Sequence, residues 1–292
     1  MNQVLVLARA TPGDDRFYKR WEEIGPVISH VSWDSYAGHF YCPTIHEAGV
    51  LVCDQRGVVD SRLLKYLPNV KYVVSATTGH THLQFDPKEH GITLVTLQGE
   101  KEFLGEIRSV SEFAFRLMLS LARPLNGYGH TLAGKTLGIV GFGRIGKHMI
   151  LIASSFGMKC QTFDVQNPYS KLERIFRSCD FISIHLSETP ESQGLIDREL
   201  IGMLLPHAYL INTARPSVID EPALALALRE GRMAGAALDV VGEASLFHGL
   251  TNVIVTPHIA GSTIEDRIKT DEFMVRKLKG IMDSTQGPGS RP

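Results

Sequence analysis

Cysteine is scarce in this sequence, long apolar runs are missing, and neither sign of charge prevails. The four cysteines, Cys42, Cys53, Cys160 and Cys179, are far apart and form no paired metal-ligand spacing. They read as reduced thiols packed like small hydrophobes, and no metal site is expected. No stretch approaches the roughly 20 apolar residues of a membrane span, and the start of the chain has neither a basic leader nor a small-residue cleavage site. A cytoplasmic protein with no membrane partner is the expectation. Thirty basic against thirty-one acidic side chains leave a formal net charge of -1. No run of Lys or Arg could neutralise a row of phosphates, which argues against nucleic acid as a partner. Internal repeats are missing as well, and low complexity is confined to the Gly/Pro-rich tail at 284–292, expected to be disordered.

What is present is the alternation of an α/β protein. At 292 residues the chain exceeds the size at which one hydrophobic core usually stops growing, so two domains are expected. The apolar share of 43% and the charged share of 21% are those of an ordinary globular chain. Short aliphatic runs alternate with helical patterns, as they do where crossover helices join parallel strands. Runs at 4–8, 50–53, 71–75 and 92–96 read as strands of a first sheet, with helices at 15–24 and 61–67 between them. The segment 99–105 breaks the alternation, which places a domain junction near Gly99. The following run, 110–121, is apolar all round, as expected of a helix buried between two lobes. A second sheet is expected from 136–140, 160–164, 181–185, 208–212, 234–239 and 253–256, and an amphipathic helix from beyond Gly261 to about Asp283. The cleft between the two sheets is the natural place for a site.

The strand at 136–140 runs directly into Gly141-Phe142-Gly143-Arg144-Ile145-Gly146, which opens a helical pattern. Gly141 permits a tight turn, Gly143 lets the backbone approach a pyrophosphate, and Gly146 lets helix and strand pack closely. The phosphates would then sit at the positive end of the helix. The next strand ends at Asp164, whose carboxylate would accept hydrogen bonds from both hydroxyls of an adenosine ribose and repel a 2′-phosphate. Neither Arg nor Lys occurs in the next three residues, Val165, Gln166 and Asn167. NAD is therefore expected rather than NADP.

Three later strands end on Asn212-Thr213-Ala214-Arg215, on Asp239 with Glu243 four residues beyond, and on Thr256-Pro257-His258 with Gly261 following. Ligands of open α/β sheets gather at such carboxyl ends. Arg215 would hold a substrate carboxylate and polarise its C2 oxygen. His258 would take the hydroxyl proton as the C2 hydrogen leaves as hydride, and return it in the reverse direction. Glu243, hydrogen-bonded to the imidazole, would orient the ring and raise its pKa. Taken singly, each residue has a plainer reading, as a surface or core histidine, a strand-end arginine and a solvated loop glutamate.

Together these residues resemble the D-isomer-specific 2-hydroxyacid dehydrogenases, the family that includes D-3-phosphoglycerate dehydrogenase, glyoxylate/hydroxypyruvate reductase and formate dehydrogenase. The resemblance spans roughly residues 45 to 270. It is carried by the glycine loop with Asp164, by His185-Leu186-Ser187-Glu188-Thr189-Pro190-Glu191-Ser192-Gln193-Gly194-Leu195-Ile196, and by Arg215, Asp239 and Thr256-Pro257-His258 in the family's order. It implies a Rossmann-type doubly wound parallel sheet over 99–262 that binds NAD. It also implies a second, smaller flavodoxin-like α/β domain for the substrate, made of 1–98 and completed by 263–283. Cofactor contacts are implied for Gly141, Gly143, Arg144, Ile145, Gly146, Asp164, His185, Thr189, Thr213, Ala214, Arg215, Asp239, His258 and Gly261. The segment from Ser75 to His82 is similar to the family's carboxylate-binding loop, which makes Thr77, Thr78 and Gly79 candidate substrate contacts through their backbone amides. A homodimer and closure of the cleft on substrate are implied too.

This chain departs from the family's pattern in three places. Glu243 stands four residues after Asp239, where the family's Glu stands five, and Ala244 fills that position. Pro216 follows the Arg where a Gly is usual, and Ser187 replaces a Pro. The resemblance points first to a phosphoglycerate-like small D-2-hydroxy acid, and second to glyoxylate or hydroxypyruvate. Arg56, after the strand at 50–53, could hold a phosphate or second carboxylate, or be a solvated loop charge. Glu243 in place of Gln argues against formate. A protein of another class, one that binds NAD(H) and responds to it without turnover, is the competing reading, motivated by Glu243 and Pro216.

Overall fold

The computed structural model describes residues 3–8, 14, 16–28, 45–55 and 57–285. Cys42, Arg56 and the tail from 286 onward lie outside the described residues. The chain divides into two compact units, residues 1–106 with 263–292, and residues 107–262.

The first unit is a parallel sheet of five strands. In chain order its strands are β1 (Gln3–Val6), β2 (Val27–Ile28), β3 (Ala48–Cys53), β5 (Tyr72–Ser75) and β7 (Thr93–Thr96), with spatial order β2-β1-β3-β5-β7. That is the flavodoxin-like order. A separate two-stranded ladder joins β4 (Val59–Asp60) to β6 (Leu83–Gln84). Successive side chains of a strand face opposite ways, so the sheet has two cores. Val4, Val6, Val50, Val52 and Val74 meet Phe17 and Trp21 of helix α1 (Phe17–Glu22) and Met274, Val275 and Leu278 of the C-terminal helix. Leu5, Leu51, Cys53 and Val73 meet Leu63 and Leu64 of α2 (Ser61–Lys65) on the other face. Asp60 caps α2 by accepting from the N–H groups of Arg62 and Leu63.

Helix α3 (Lys101–Gly105) belongs to this unit, so the division falls between Glu106 and Ile107, beyond Gly99. The reason is packing: Phe103 stacks on Phe273 at 4.1 Å between centroids, and Lys277 donates to Glu100 and to the carbonyl of Thr96.

The second unit begins with α4 (Ser109–Ala122) and holds a six-stranded parallel sheet. Its strands are β8 (Thr136–Val140), β9 (Lys159–Phe163), β10 (Phe181–Ile184), β11 (Tyr209–Asn212), β12 (Gly235–Leu238) and β13 (Val253–Val255), in the order β13-β12-β11-β10-β8-β9. The chain steps outward from β8 to β9, then crosses back to β10, so the switch point lies between β8 and β10. Leu137, Ile139, Phe181, Ile211 and Ala237 face α4 and α5 (Arg144–Ser155). Val140, Ile182, Ile184, Leu210 and Ala236 face α6 (Tyr169–Ser178), α7 (Arg198–Gly202) and α8 (Glu221–Arg229). With both faces covered, the strands read as continuous apolar runs.

Helix α4 is apolar on the side that meets the sheet, while Glu112 and Arg116 are exposed, so it is one-sided rather than buried all round. The last helix, α9 (Ile264–Thr285), runs two residues beyond the expected Asp283. No helix among the described residues is long and apolar enough to cross a membrane.

Candidate active site

The 141–146 loop follows β8 and is shaped by close backbone contacts. Gly141 has φ +103°, and a Cβ there would lie 2.6 Å from the carbonyl of His185. Only glycine accepts both conditions without strain. A Cβ on Gly146 would approach the carbonyl of Gly141 to 2.3 Å, so helix α5 packs on its own entry turn. At Gly143, the N-cap of α5, a Cβ would meet nothing within 4 Å, and no side chain caps the helix. Open space before uncapped N–H groups is the cradle that a pyrophosphate fills. Asp164, just past β9, accepts from the N–H of Phe142 at 3.1 Å, which fastens its carboxylate to the loop. Arg144 reaches back to the carbonyl of Ile107 at 2.6 Å, and Ile145 packs against the core beneath.

His185 ends β10 beside this loop. Its Nε2 pairs with Ser183 Oγ at 2.9 Å, Thr213 Oγ1 stands 3.5 Å from its Nδ1, and burial pushes its pKa down to about 3. The ring is therefore neutral at physiological pH. Beyond it, Ser192 Oγ accepts from the N–H of Thr189 and donates to the carbonyl of Ser187, so Ser187 serves the turn through its main chain. Thr189 Oγ1 is buried without a hydrogen-bond partner, a group that a ligand could satisfy.

Arg215 follows β11 in extended conformation. Its Nη1 donates to the carbonyl of Ala214 at 2.7 Å, and its Nε lies 3.9 Å from Glu188. Asn212 braces the turn from both ends, accepting from Ala214 N–H and donating to the carbonyl of Arg215. Pro216 is the first residue of a short 3₁₀ helix, Pro216–Val218. A proline's fixed φ is preorganised there and its missing N–H costs nothing, so the substitution of Gly by Pro is accommodated.

Asp239, after β12, is 1% exposed and holds the His258 loop together. Its Oδ1 accepts from Thr256 Oγ1 at 2.6 Å and from Ile259 N–H at 2.9 Å, and its Oδ2 from Ala260 N–H at 2.9 Å. His258 is held at φ 54°, the one positive value among the described non-glycine residues. Its pKa is lowered, first by withdrawal from solvent and then by the Arg215 guanidinium, with Asp239 working the other way. The expected rise does not occur, because the Glu243 carboxylate is elsewhere. Glu243 Oε1 accepts from Ser245 Oγ at 2.8 Å, and no hydrogen bond or ion pair joins it to His258. Its backbone is clamped: the buried carboxylate of Glu221, at the start of α8, accepts from the N–H groups of Gly242 and Glu243 at 2.9 and 3.1 Å. Gly261 closes this loop, where a Cβ would meet only Val110 at 3.9 Å.

In the first unit, the 76–82 loop leaves the carboxyl end of β5. The carbonyl of Thr77 accepts from Leu97 N–H, and Thr77 Oγ1 donates to the carbonyl of Gly79. The N–H groups of Thr77, Thr78 and Gly79 donate to no group among the described residues.

The fold thus brings the glycine loop, Asp164, His185, Thr213, Arg215, Asp239 and His258 to one end of one sheet, where the Arg215 charge helps to lower the His258 pKa. It does not bring Glu243 to the imidazole. Glu221 went unnoticed in the sequence because an acidic residue beside Pro222 at a helix start reads as an ordinary dipole partner. Nothing local tells that it clamps a turn 21 residues away.

Comparison with known proteins agrees with this geometry. The model of the D-isomer specific 2-hydroxyacid dehydrogenase, NAD binding domain, matches residues 104–260. A glyoxylate reductase of Thermofilum pendens is 32% identical over 280 residues, covering 84% of this chain and 81% of that one. A D-3-phosphoglycerate dehydrogenase of Mycobacterium leprae is 31% identical over 263 residues, covering 78% of this chain and 48% of its own length. Among solved structures, the TT0316 protein of Thermus thermophilus shares 26% identity with a TM-score of 0.77, covering 97% of both chains. With a cofactor loop that fits NAD and a family match over more than half its length, the chain belongs to the D-isomer-specific 2-hydroxyacid dehydrogenases, NAD-dependent oxidoreductases of 2-hydroxy acids.

Proposed function

We propose that the protein interconverts a small D-2-hydroxy acid and its 2-oxo acid, with Arg215 holding the carboxylate and His258 moving the hydroxyl proton. The observation that carries this reading is the placement of Arg215 and His258 just past the carboxyl ends of β11 and β13 in one sheet, with the guanidinium helping to lower the imidazole pKa. Bound NAD supplies the hydride acceptor or donor for C2. Gly141, Gly143, Arg144, Ile145 and Gly146 would receive its pyrophosphate, Asp164 its ribose hydroxyls, and His185, Thr189, Thr213, Ala214 and Gly261 would line the rest, with the buried Asp239 holding the His258 loop from behind. The Asp164 carboxylate favours NAD over NADP by repelling a 2′-phosphate.

The resting His258 is neutral beside a fixed cation, so it is ready to accept a proton from a hydroxy acid. A carboxylate bound at Arg215 offsets that cation, which raises the imidazole pKa and lets the ring carry the proton needed in the reverse direction. The acid itself thereby arms its reduction. In the first unit, the backbone N–H groups of Thr77, Thr78 and Gly79, which bond to no other main-chain group among the described residues, are the contacts proposed for a substrate carboxylate.

For the substrate, glyoxylate or hydroxypyruvate is favoured over a phosphoglycerate. Two glyoxylate reductases match this chain over about equal lengths, 81% and 80% of their own, whereas the phosphoglycerate dehydrogenase of M. leprae matches over 48%. The 76–82 loop also has no Lys or Arg to hold a phosphate. The non-catalytic NAD(H)-binding reading loses one of its two motives now that Pro216 starts a 3₁₀ helix.

A homodimer in the cytoplasm completes the proposal. Leu125 and Tyr128 stand fully exposed, as residues awaiting a partner surface do, and Cys53, Cys160 and Cys179 are free thiols, as a reducing compartment keeps them. NADH oxidation against glyoxylate, hydroxypyruvate and 3-phosphohydroxypyruvate, repeated with NADPH, tests the chemistry. Binding of NADH without turnover of any 2-oxo acid would sink it. Light scattering on the eluted protein tests the dimer.

A further inference from the structure

A buried hydrogen-bond chain lies under the 77–79 loop. Ser75, at the end of β5, is fully buried, and His82, 5% exposed, returns beneath the loop. Ser75 Oγ is 2.8 Å from His82 Nε2 and 3.0 Å from Thr77 Oγ1, and Thr77 Oγ1 donates to the carbonyl of Gly79 at 2.9 Å. A hydroxyl has one proton to give. Thr77 gives its proton to Gly79, so Ser75 gives its proton to Thr77, and the bond between Ser75 and His82 has to be donated by Nε2–H. The chain therefore runs one way, His82 to Ser75 to Thr77 to Gly79, and fixes the ring's tautomer.

The surroundings hold that state. Burial, and then the neighbouring His80, keep the His82 pKa low against the opposing pull of Asp54, so the ring is neutral. Cys53 beside Ser75 stays a thiol, its pKa raised to about 12, and its Sγ points a hydrogen at the carbonyl of Val74. Ser75 lies within hydrogen-bond reach of that sulfur, and the stronger oxygen acceptor, Thr77 Oγ1, takes its proton. The backbone is anchored at both ends, by Leu97 N–H on the Thr77 carbonyl and Val59 N–H on the His82 carbonyl.

We propose that His82 is a positioning residue which, through Ser75 and Thr77, sets the shape of the 77–79 loop and so the affinity of its backbone amides for the substrate carboxylate. This rests on the reading of that loop as a carboxylate site. Loss of one directed hydrogen bond, worth about 1.4 kcal/mol, corresponds to about tenfold. His82→Ala and Ser75→Ala are each expected to raise KM for the 2-oxo acid about tenfold, with kcat and NADH affinity nearly unchanged, and the double variant to be no worse than either single one. In His82→Gln the side-chain amide N–H reaches the same hydroxyl, and KM returns toward the wild-type value. Nitrogen NMR of histidine-labelled full-length protein, assigned by the signal missing from His82→Gln, reads the tautomer without any turnover. A neutral ring protonated at Nε2 is the expected result. An unchanged KM in both alanine variants, failure of the glutamine to restore KM, or a ring protonated at Nδ1 overturns the proposal. Should the wild-type protein bind NADH yet turn over no acid, the carboxylate reading and the role built on it fall together, while the tautomer remains separately readable.

Discussion

The glycine loop and the edge that carries Arg215 and His258 share one sheet end, and they are held by different physics. At 141–146 the backbone itself leaves no alternative, since an added Cβ at Gly141 or Gly146 would meet main-chain atoms at 2.6 or 2.3 Å. At the edge, the loop of His258 is tied by Asp239 and the turn before Glu243 by Glu221, through carboxylates 20 and 21 residues away in sequence. Sterics of the first kind are written in consecutive residues. Long-range ties of the second kind are not, and a one-residue change of loop length there redirects a side chain without disturbing the fold.

The sharpest way to test the difference is to remove the proposed base. His258→Asn is expected to lower kcat about 10²- to 10⁴-fold while NADH affinity, read by fluorescence titration, stays at the wild-type level. In the wild-type enzyme the lowered pKa of His258 sets the sign of the pH profile. The kcat/KM for reduction, which reports the free protein and needs the protonated ring, falls as pH rises through a value below that of an ordinary histidine, and kcat/KM for oxidation rises over the same span. The asparagine variant should lose this dependence, and a profile that persists in it would show that another group moves the proton.

The glycine loop predicts a split between binding and folding. Gly146→Ala forces an overpacked contact and is expected to cost roughly 1–3 kcal/mol of stability, seen as a lower Tm. Gly143→Ala meets open space in the free protein, so its Tm should hold while NADH affinity drops. Equal effects of the two variants on Tm would erase the contrast drawn here.

Away from both regions, Asp271 in α9 gives a smaller and pH-bound effect. It is 1% exposed, faces Arg267 at 3.5 Å, and its pKa is raised to about 6 by burial, which outweighs the pull of Arg267 and Arg20. A carboxyl that keeps its proton more tightly in the folded state loses stability as pH rises from about 4 to about 6. Asp271→Asn is expected to remove that slope and to stabilise the protein by about 1–2 kcal/mol above pH 6, measured by denaturant unfolding at pH 4 and pH 8. The smallest change is expected from Glu243→Gln. Because its carboxylate is bonded to Ser245 and not to His258, kcat should move less than about threefold, far below the general acid–base range. A fall of a hundredfold would mean that Glu243 swings to the ring during turnover.

Much of this molecule was legible in the sequence. All six strands of the second sheet lie within one or two residues of the runs that announce them, because two covered faces leave uninterrupted apolar stretches. The two-residue strands β2, β4 and β6 are too short to show any period. The junction at Gly99 comes out early because the break in the pattern at 99–105 reads as a boundary, whereas α3 within it packs back through Phe103 on Phe273. At the site, glycines and strand-end residues declared themselves, whereas the clamp by Glu221 and the relay from His82 depend on contacts that no spacing encodes.

The left-handed backbone at His258 has a consequence for the protein's balance of durability and work. A side chain at φ 54° costs roughly 1–2 kcal/mol that glycine would not. His258→Gly should therefore yield a chain that is inert toward hydroxy acids and yet harder to unfold. Selection for robustness alone would discard this histidine, so under the proposed role its presence is a concession of stability to chemistry.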